Sequence, residues 1–543
     1  MNVISAVMVD LECSPLGTRS RLADDLLGKP ILRRTVDRAL RSKECVRLHL
    51  VVPSQQGGRV RELVSGLPCE IETYAAGPPA HQTLVRGGRF WGLDSWRGGA
   101  GGFSVFDEDF NAPVLQALLR KTGADAVATI PAAASLFDSA MLDAMIRHAR
   151  KVDEPTGITF VQAPPGLGPF IIRNHIVDQL APSTVPPGAI LTYQPGHPVA
   201  DLTGRETCWR PGVEVIAARG RLLCDTRRST ERVERVLRAG AEVESWDAAR
   251  IVRWLAEVES RRVEDIPSEI EIELTTELPY HLRSILRPLG GDVPSRGPIS
   301  MRVIQSVADW IRGYDDACVI LGGFGEPCLH PEFLEICRAL RESGTAALAV
   351  RTTGLIESEA IEAALFETPV DLVEVMLDAS NPETYARVWG VDEYSRAIAV
   401  LERRLERRVR ENRVLPLWMP SMVKARETYE DLETFVDTWQ RRLSMYAVTG
   451  HSHCAGQRPD HAVSSLAPPE RCVCRRVRSR AVVLADGTMI TCDQDYRARQ
   501  VIGRIGPQMP NEFWQGDPIL NSIRNQIIGD APLCAACDEW HRP

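Results

Sequence analysis

Cys534 and Cys537 enclose two alanines, a spacing that lets one tight turn aim both thiolates at the same metal centre. Two more thiols are placed to join them. The β-prone segments 481–484 and 489–491 flank Asp486 and Gly487, a pair that accepts the positive φ angles of a hairpin turn. A hairpin brings its own ends together, and Cys474 precedes this one while Cys492 closes it. Cys472 is the rival to Cys474. Zinc and iron-sulfur clusters both take four thiolates, so ligand type and spacing leave the metal open.

Glycine-rich turns mark two further places where a ligand could meet backbone. Residues 321–331 carry Gly323, Gly325 and Glu326 between an expected strand and an expected helix. Glycine admits close approach to backbone amides, and Glu326 can accept hydrogen bonds from a ligand amine. Just upstream, Pro279, Arg283, Arg287 and Pro288 are suited to shaping a pocket for an anion, whereas Glu277 and His281 read as a solvated turn. Near the start of the sequence, Arg19, Arg21 and Lys29 lie around Gly17 and Gly28 ahead of a helix, a setting that suits nucleotide phosphates. Asp138 reads as a helix N-cap. No residue is assigned a catalytic role.

These residues need elements to hold them. Over residues 1–250, strands at 3–9, 48–52, 126–130 and 157–162 alternate with helices at 31–40, 59–64, 112–120 and 139–150, which predicts an α/β layer with a mostly parallel sheet. The Gly- and Pro-rich stretches 86–103 and 163–170 read as loops over its ligand-binding edge. From 265 to 450 the alternation restarts. Strands are expected at 269–275, 318–321, 347–351, 371–377, 415–422 and 445–448, with helices at 301–312, 331–342, 356–366, 395–408 and 429–441. About six βα units in about 185 residues favour a (β/α)6 partial barrel over a closed eight-unit one. Residues 451–543 are expected to form a small, cysteine-rich α+β third domain.

A chain of 543 residues with 44% hydrophobic and 25% charged residues is ordinary multidomain globular protein. Its formal charge of -8 argues against a nucleic-acid partner, and the Arg403 to Arg410 run reads as a solvated helix face. No apolar run has the length of a membrane span, and the first residues read as a buried strand rather than a signal peptide. The expected location is cytoplasmic. There, 14 cysteines are buried small residues or metal ligands sooner than disulfides.

The run from Cys474 through Asp486 and Gly487 to Cys492, Asp493, Gln494, Asp495 and Tyr496, then Gly503 to Ile505 and finally Leu533 to Trp540, strongly resembles a SPASM domain. That resemblance implies one 4Fe-4S cluster with Cys474, Cys492, Cys534 and Cys537 as ligands. Gly323, Gly325 and Glu326, together with Arg351 to Gly354 and Val375 to Ala379 followed by Asn381 to Tyr385, resemble the S-adenosylmethionine (SAM) binding stretches of radical SAM enzymes. The family's C-x3-C-x2-C loop is missing, because no cysteine lies between Cys224 and Cys318. The resemblance therefore implies a SAM-like pocket without the cluster that delivers an electron for SAM cleavage. Leu16 to Leu22 and Leu27 to Leu32 resemble the signature of nucleotidyltransferases of the GT-A-like fold, with Arg19 and Lys29 at phosphate-contact positions. The family's metal-binding aspartate is absent from the 130–135 stretch. The whole chain resembles the spirochaete-type SPASM group. The expected role is redox or binding support of a modification pathway, with a redox or peptide- or glycan-modification partner. Sugar-nucleotide transfer by the first domain is the rival, and a non-catalytic binding scaffold the third reading.

Overall fold

Short strands, most of them buried on both faces, build the first unit of the protein. The computed structural model describes residues 1–75, 77–152, 156–193, 195, 205–259, 262–368, 370–465, 467–472, 474–506, 509–525 and 531–542. The chain forms two units, Met1–Ser260 and Arg261–Pro543. In the first, β1 (Val3–Met8), β2 (Leu48–Pro53), β3 (Glu70–Tyr74), β4 (Ala126–Thr129), β5 (Ile158–Val161), β6 (Phe170–Arg173) and β7 (Cys208–Trp209) line up in the order β3-β2-β1-β4-β6-β5-β7. Alternate residues of β1 enter two cores. Val3 and Val7 pack with Leu32, Val36, Leu142 and Met145. Ile4 and Ala6 pack with Leu115, Leu118 and Leu119 of the helix Ala112–Thr122 on the opposite face. That helix starts where the Asn111 side chain accepts from Val114 N and stops at left-handed Gly123.

The expected parallel sheet holds for β3, β2, β1 and β4. It then turns antiparallel, since β6 runs against both β4 and β5. The stretch 163–170, expected as a loop over the ligand edge, is thus the link within an antiparallel pair.

In the second unit, β8 (Glu269–Glu273), β9 (Cys318–Gly322), β10 (Ala347–Thr352), β11 (Leu372–Met376), β12 (Leu417–Lys424) and β13 (Ala447–Gly450) pair successively in parallel. The sheet does not close. Beyond β8 it continues through β14 (Arg480–Val483), β15 (Thr488–Ile490) and β16 (Val501–Arg504), giving nine strands in the order β13-β12-β11-β10-β9-β8-β14-β15-β16. β14 is parallel to β8, and the last three strands are antiparallel to one another. The segment 451–543, expected as a small third domain, thus adds its strands to the sheet of the second unit. Val483, Met489 and Trp514 share one apolar cluster with Ile270 and Ile272, so the C-terminal segment extends the barrel's sheet and core. Among the described residues no helix is long and apolar enough to cross a membrane.

The sequence of β8 alternates Glu and Ile with the period of a strand. Ile270 and Ile272 are fully buried against helices, while Glu269, Glu271 and Glu273 face the concave side. On that side one register row runs Glu273, Gly322, Arg351, Glu374 and Met419 across five strands.

Candidate metal centre

The β14–β15 hairpin forms as its sequence dictates. Gly487, at φ +82, donates its N–H to Leu484 O, and Leu484 N donates to Thr488 O, each at 2.8 Å. Cys492 follows β15 directly. After it, the Asp495 carboxylate accepts from Arg499 N and Gln500 N at 2.9 and 2.6 Å, which shapes the return into β16. Cys534 sits in the short helix Pro532–Ala536, and Cys537 is its C-cap. All four cysteines line one cavity of about 220 Å3, with Arg476, Glu539 and Trp540 also on its wall. Cys472 lies at the same cavity but is exposed, whereas Cys474 packs against the unit's core.

The donor set fits a cluster. Glu539 N donates to Cys537 Sγ at 3.2 Å, and Gln500 Nε2 donates to Cys534 Sγ at 3.7 Å, contacts that orient sulfur ligands and stabilise them as thiolates. Burial, with Cys474 and Cys534 close by, pushes the Cys537 thiol up to about 11. Burial and the adjacent Asp493 carboxylate push Cys492 well above the ordinary thiol range. Thiols that ligate a cation do so as thiolates, so binding at this cavity would release protons.

On the barrel side the expected pocket residues serve the fold itself. Glu326 is fully buried. Its Oε2 accepts from Thr353 N and Thr353 Oγ1 at 2.7 and 2.6 Å, and its Oε1 accepts from Thr352 Oγ1 at 2.8 Å and Cys328 N at 3.2 Å. Both oxygens of Glu326, expected to meet a ligand amine, thus accept from the chain itself. Gly323 and Gly325 are equally committed. A Cβ on Gly325 would lie 2.2 Å from Thr275 O, and one on Gly323, at φ +76, 2.5 Å from Glu273 Cβ. These glycines admit the protein's own β8 backbone, and Glu326 N donates to Glu277 O at 2.8 Å.

The concave face is closed by charge pairs. Because Gly322 has no side chain, Arg351 reaches across β9 to Glu271 at 2.6 Å while also holding Glu374 at 3.0 Å. Arg287, expected to attract an external anion, clamps Asp378 at 2.7 and 2.9 Å and donates to Ser421 Oγ at 3.1 Å. Asp378 itself is fully buried at φ +52. Arg296 fixes Glu273 at 2.6 and 2.9 Å, and Glu273 in turn accepts from Ala485 N at 3.0 Å. The last contact ties the cysteine-bearing hairpin to β8. Glu277, Arg283 and His281 are exposed.

In the first unit a cleft of about 560 Å3 lies at the carboxyl ends of β1, β2 and β4, with Val9, Pro53 and Pro131 on its wall. Arg21 lines it. Arg19 and Lys29, expected at phosphate, are not on its wall: Arg19 pairs with Asp24 at 2.5 Å and Lys29 with Asp37 at 3.3 Å. In the loop after β1, Ser14 O and Pro15 O accept from the Arg86 guanidinium at 3.2 and 2.7 Å. Ala132 and Ala133 occupy the wall where a metal-binding carboxylate was missing from the sequence. Asp138 is the helix cap, accepting from Ala140 N and Met141 N at 2.9 and 3.1 Å. Sequence reading overlooked Asp109, a cleft residue whose carboxyl is pushed up to about 7 by burial and the neighbouring Glu108.

The second unit thus carries a mainly parallel α/β sheet, extended by a hairpin, that brings four cysteines to one cavity. Residues 472–538 match the family model described as SPASM, an iron-sulfur cluster-binding domain. An uncharacterised protein of Treponema pallidum is 26% identical over 294 residues, covering 51% of this chain and 79% of that protein. A probable GTP 3',8-cyclase of Saccharolobus islandicus is 32% identical over 100 residues, covering 18% of this chain and 32% of that protein. Among solved structures, Streptococcus suis SuiB bound to its precursor peptide SuiA is similar at 13% identity and a TM-score of 0.42, covering 55% of this chain and 80% of that one.

Proposed function

We propose that Cys474, Cys492, Cys534 and Cys537 hold one 4Fe-4S cluster, and that the protein uses it for redox or binding support of a modification pathway, without cleaving SAM reductively. The cavity among the four cysteines carries this reading. When bound, such a cluster supplies one-electron chemistry. The chain's own residues hold its surroundings fixed: Arg476 pairs with Asp493 at 2.8 Å beside Cys492, and Arg480 pairs with the other Asp493 oxygen at 3.2 Å. The concave barrel face supports the second half of the reading, because Arg351 and Arg287 spend their charges on Glu271, Glu374 and Asp378, and the loop after β8 has no cysteine to hold a cluster that would deliver an electron to a bound sulfonium.

The test is SAM consumption by anaerobically loaded, chemically reduced protein. The expected result is no turnover above a protein-free control. Reductant-dependent consumption, at one or more SAM per chain, would overturn the reading. Sugar-nucleotide transfer by the first unit has less support, since Arg19 and Lys29 are paired away from the cleft.

A further inference from the structure

β2 is apolar except for His49, and that histidine is fully buried with no hydrogen-bond partner on either ring nitrogen. A buried polar group left in this state costs about 1–3 kcal/mol and calls for an explanation. On the neighbouring edge strand, Glu70 lies directly opposite His49 in register, and Glu72 follows on the same face. His49 Nδ1 stands 3.7 Å from Glu70 Oε2 and 3.7 Å from Glu72 Oε1. Each carboxylate gives its other oxygen to a base: Glu72 Oε2 pairs with Lys121 Nζ at 2.6 Å, and Glu70 Oε1 lies 3.8 Å from Arg47 Nε.

We propose that His49, Glu70 and Glu72 form a binding site for one divalent transition-metal ion, which pins the edge strand β3 to β2. The three ligand atoms all lie within 4.8 Å of one another. An ion at ~2.0–2.2 Å from each nitrogen or oxygen spans about 4.4 Å, and the half-exposed Glu70 side chain closes the remainder. Burial, outweighing Glu70 and Glu72, lowers the His49 pKa and keeps the imidazole neutral, the form that ligates. Lys121 and Arg47 hold the carboxylates with one oxygen turned inward, as outer partners of metal ligands do. Both bases are largely exposed and can shift when a dication arrives. Mixed nitrogen and carboxylate donors suit manganese, zinc or ferrous iron.

Mn2+ is the probe of choice, because thiolates select softer ions and the cysteine site then competes little. The experiment titrates the full chain with Mn2+, following loss of the free-ion electron paramagnetic resonance signal and the thermal midpoint together. One Mn2+ per chain is expected, with affinity falling at least about tenfold in Glu70→Gln and in Glu72→Gln. The rise in midpoint with Mn2+ is expected to vanish in both variants. His49→Gln, at a buried position, serves as a third arm where circular dichroism shows it folded. Absence of binding to the wild type, or equal affinity and equal midpoint shift in the wild type and the Glu70→Gln/Glu72→Gln double variant, would overturn the proposal. The latter outcome would direct attention to the acidic cleft residues instead.

Discussion

Replacing Glu326 with alanine is expected to cost stability and leave SAM affinity unchanged. The carboxylate receives two bonds from Thr353, one from Thr352 and one from Cys328, at 2.6 to 3.2 Å. In the variant the two threonine hydroxyls can turn to other acceptors, but Thr353 N–H and Cys328 N–H remain buried without one. Unmet buried donors cost about 1–3 kcal/mol each, and the truncated side chain leaves a void besides, so a loss of about 3–5 kcal/mol follows. At about 2 °C per kcal/mol for a unit of this size, the thermal midpoint falls by about 6–10 °C. Glu326→Gln keeps volume and one acceptor and should lose about half as much. Calorimetric unfolding gives the midpoint, and calorimetric titration with SAM gives the affinity on the same samples. A midpoint within about 1 °C of wild type, combined with loss of a SAM affinity that the wild type shows, would refute the reasoning and return Glu326 to a ligand-facing role.

Arg351→Met would strip Glu271 and Glu374 of their shared partner; urea unfolding should show a loss of about 2–4 kcal/mol, below the range for fully buried pairs because Arg351 keeps 24% side-chain exposure. Cys474→Ala is expected to lower bound iron sharply in anaerobic preparations while Cys472→Ala leaves it near the wild-type value, and the reverse order would exchange the two assignments. Asp109 carries a folded-state pKa raised to about 7, so between pH ~4 and ~7 the folded state keeps a proton that the unfolded state has lost, and its contribution to stability falls as pH rises through that window. Asp109→Asn should therefore raise the thermal midpoint at pH 8, with the gain shrinking toward pH 4; a gain independent of pH would contradict the burial argument.

Local pattern made much of the fold legible. The Glu-Ile alternation of β8 announced both its period and its two faces, and the Asp486-Gly487 turn placed the hairpin. What escaped was long-range. Nothing near residues 480–483 shows that this strand pairs with Glu269–Glu273 some two hundred positions earlier, so the C-terminal segment read as a domain of its own. The internal partners of charged side chains were hidden for a related reason. Arg19 and Lys29 have the right type for phosphate, but Asp24 and Asp37 capture them. Arg287 has the right charge for an anion, and the anion proves to be Asp378, ninety-one positions away. Likewise, Gly323 and Gly325 mark close backbone approach, but a glycine does not reveal whether ligand or chain approaches. His49 stood in an apolar strand with no sequence cue that Glu70 would lie opposite it.

The most direct test is the iron, acid-labile sulfide and zinc content per chain of anaerobically purified protein. About four irons and four sulfides per chain are predicted for one 4Fe-4S site. A preparation with no labile sulfide and about one zinc lost on Cys534→Ala would contradict the account, making the four cysteines a structural clip.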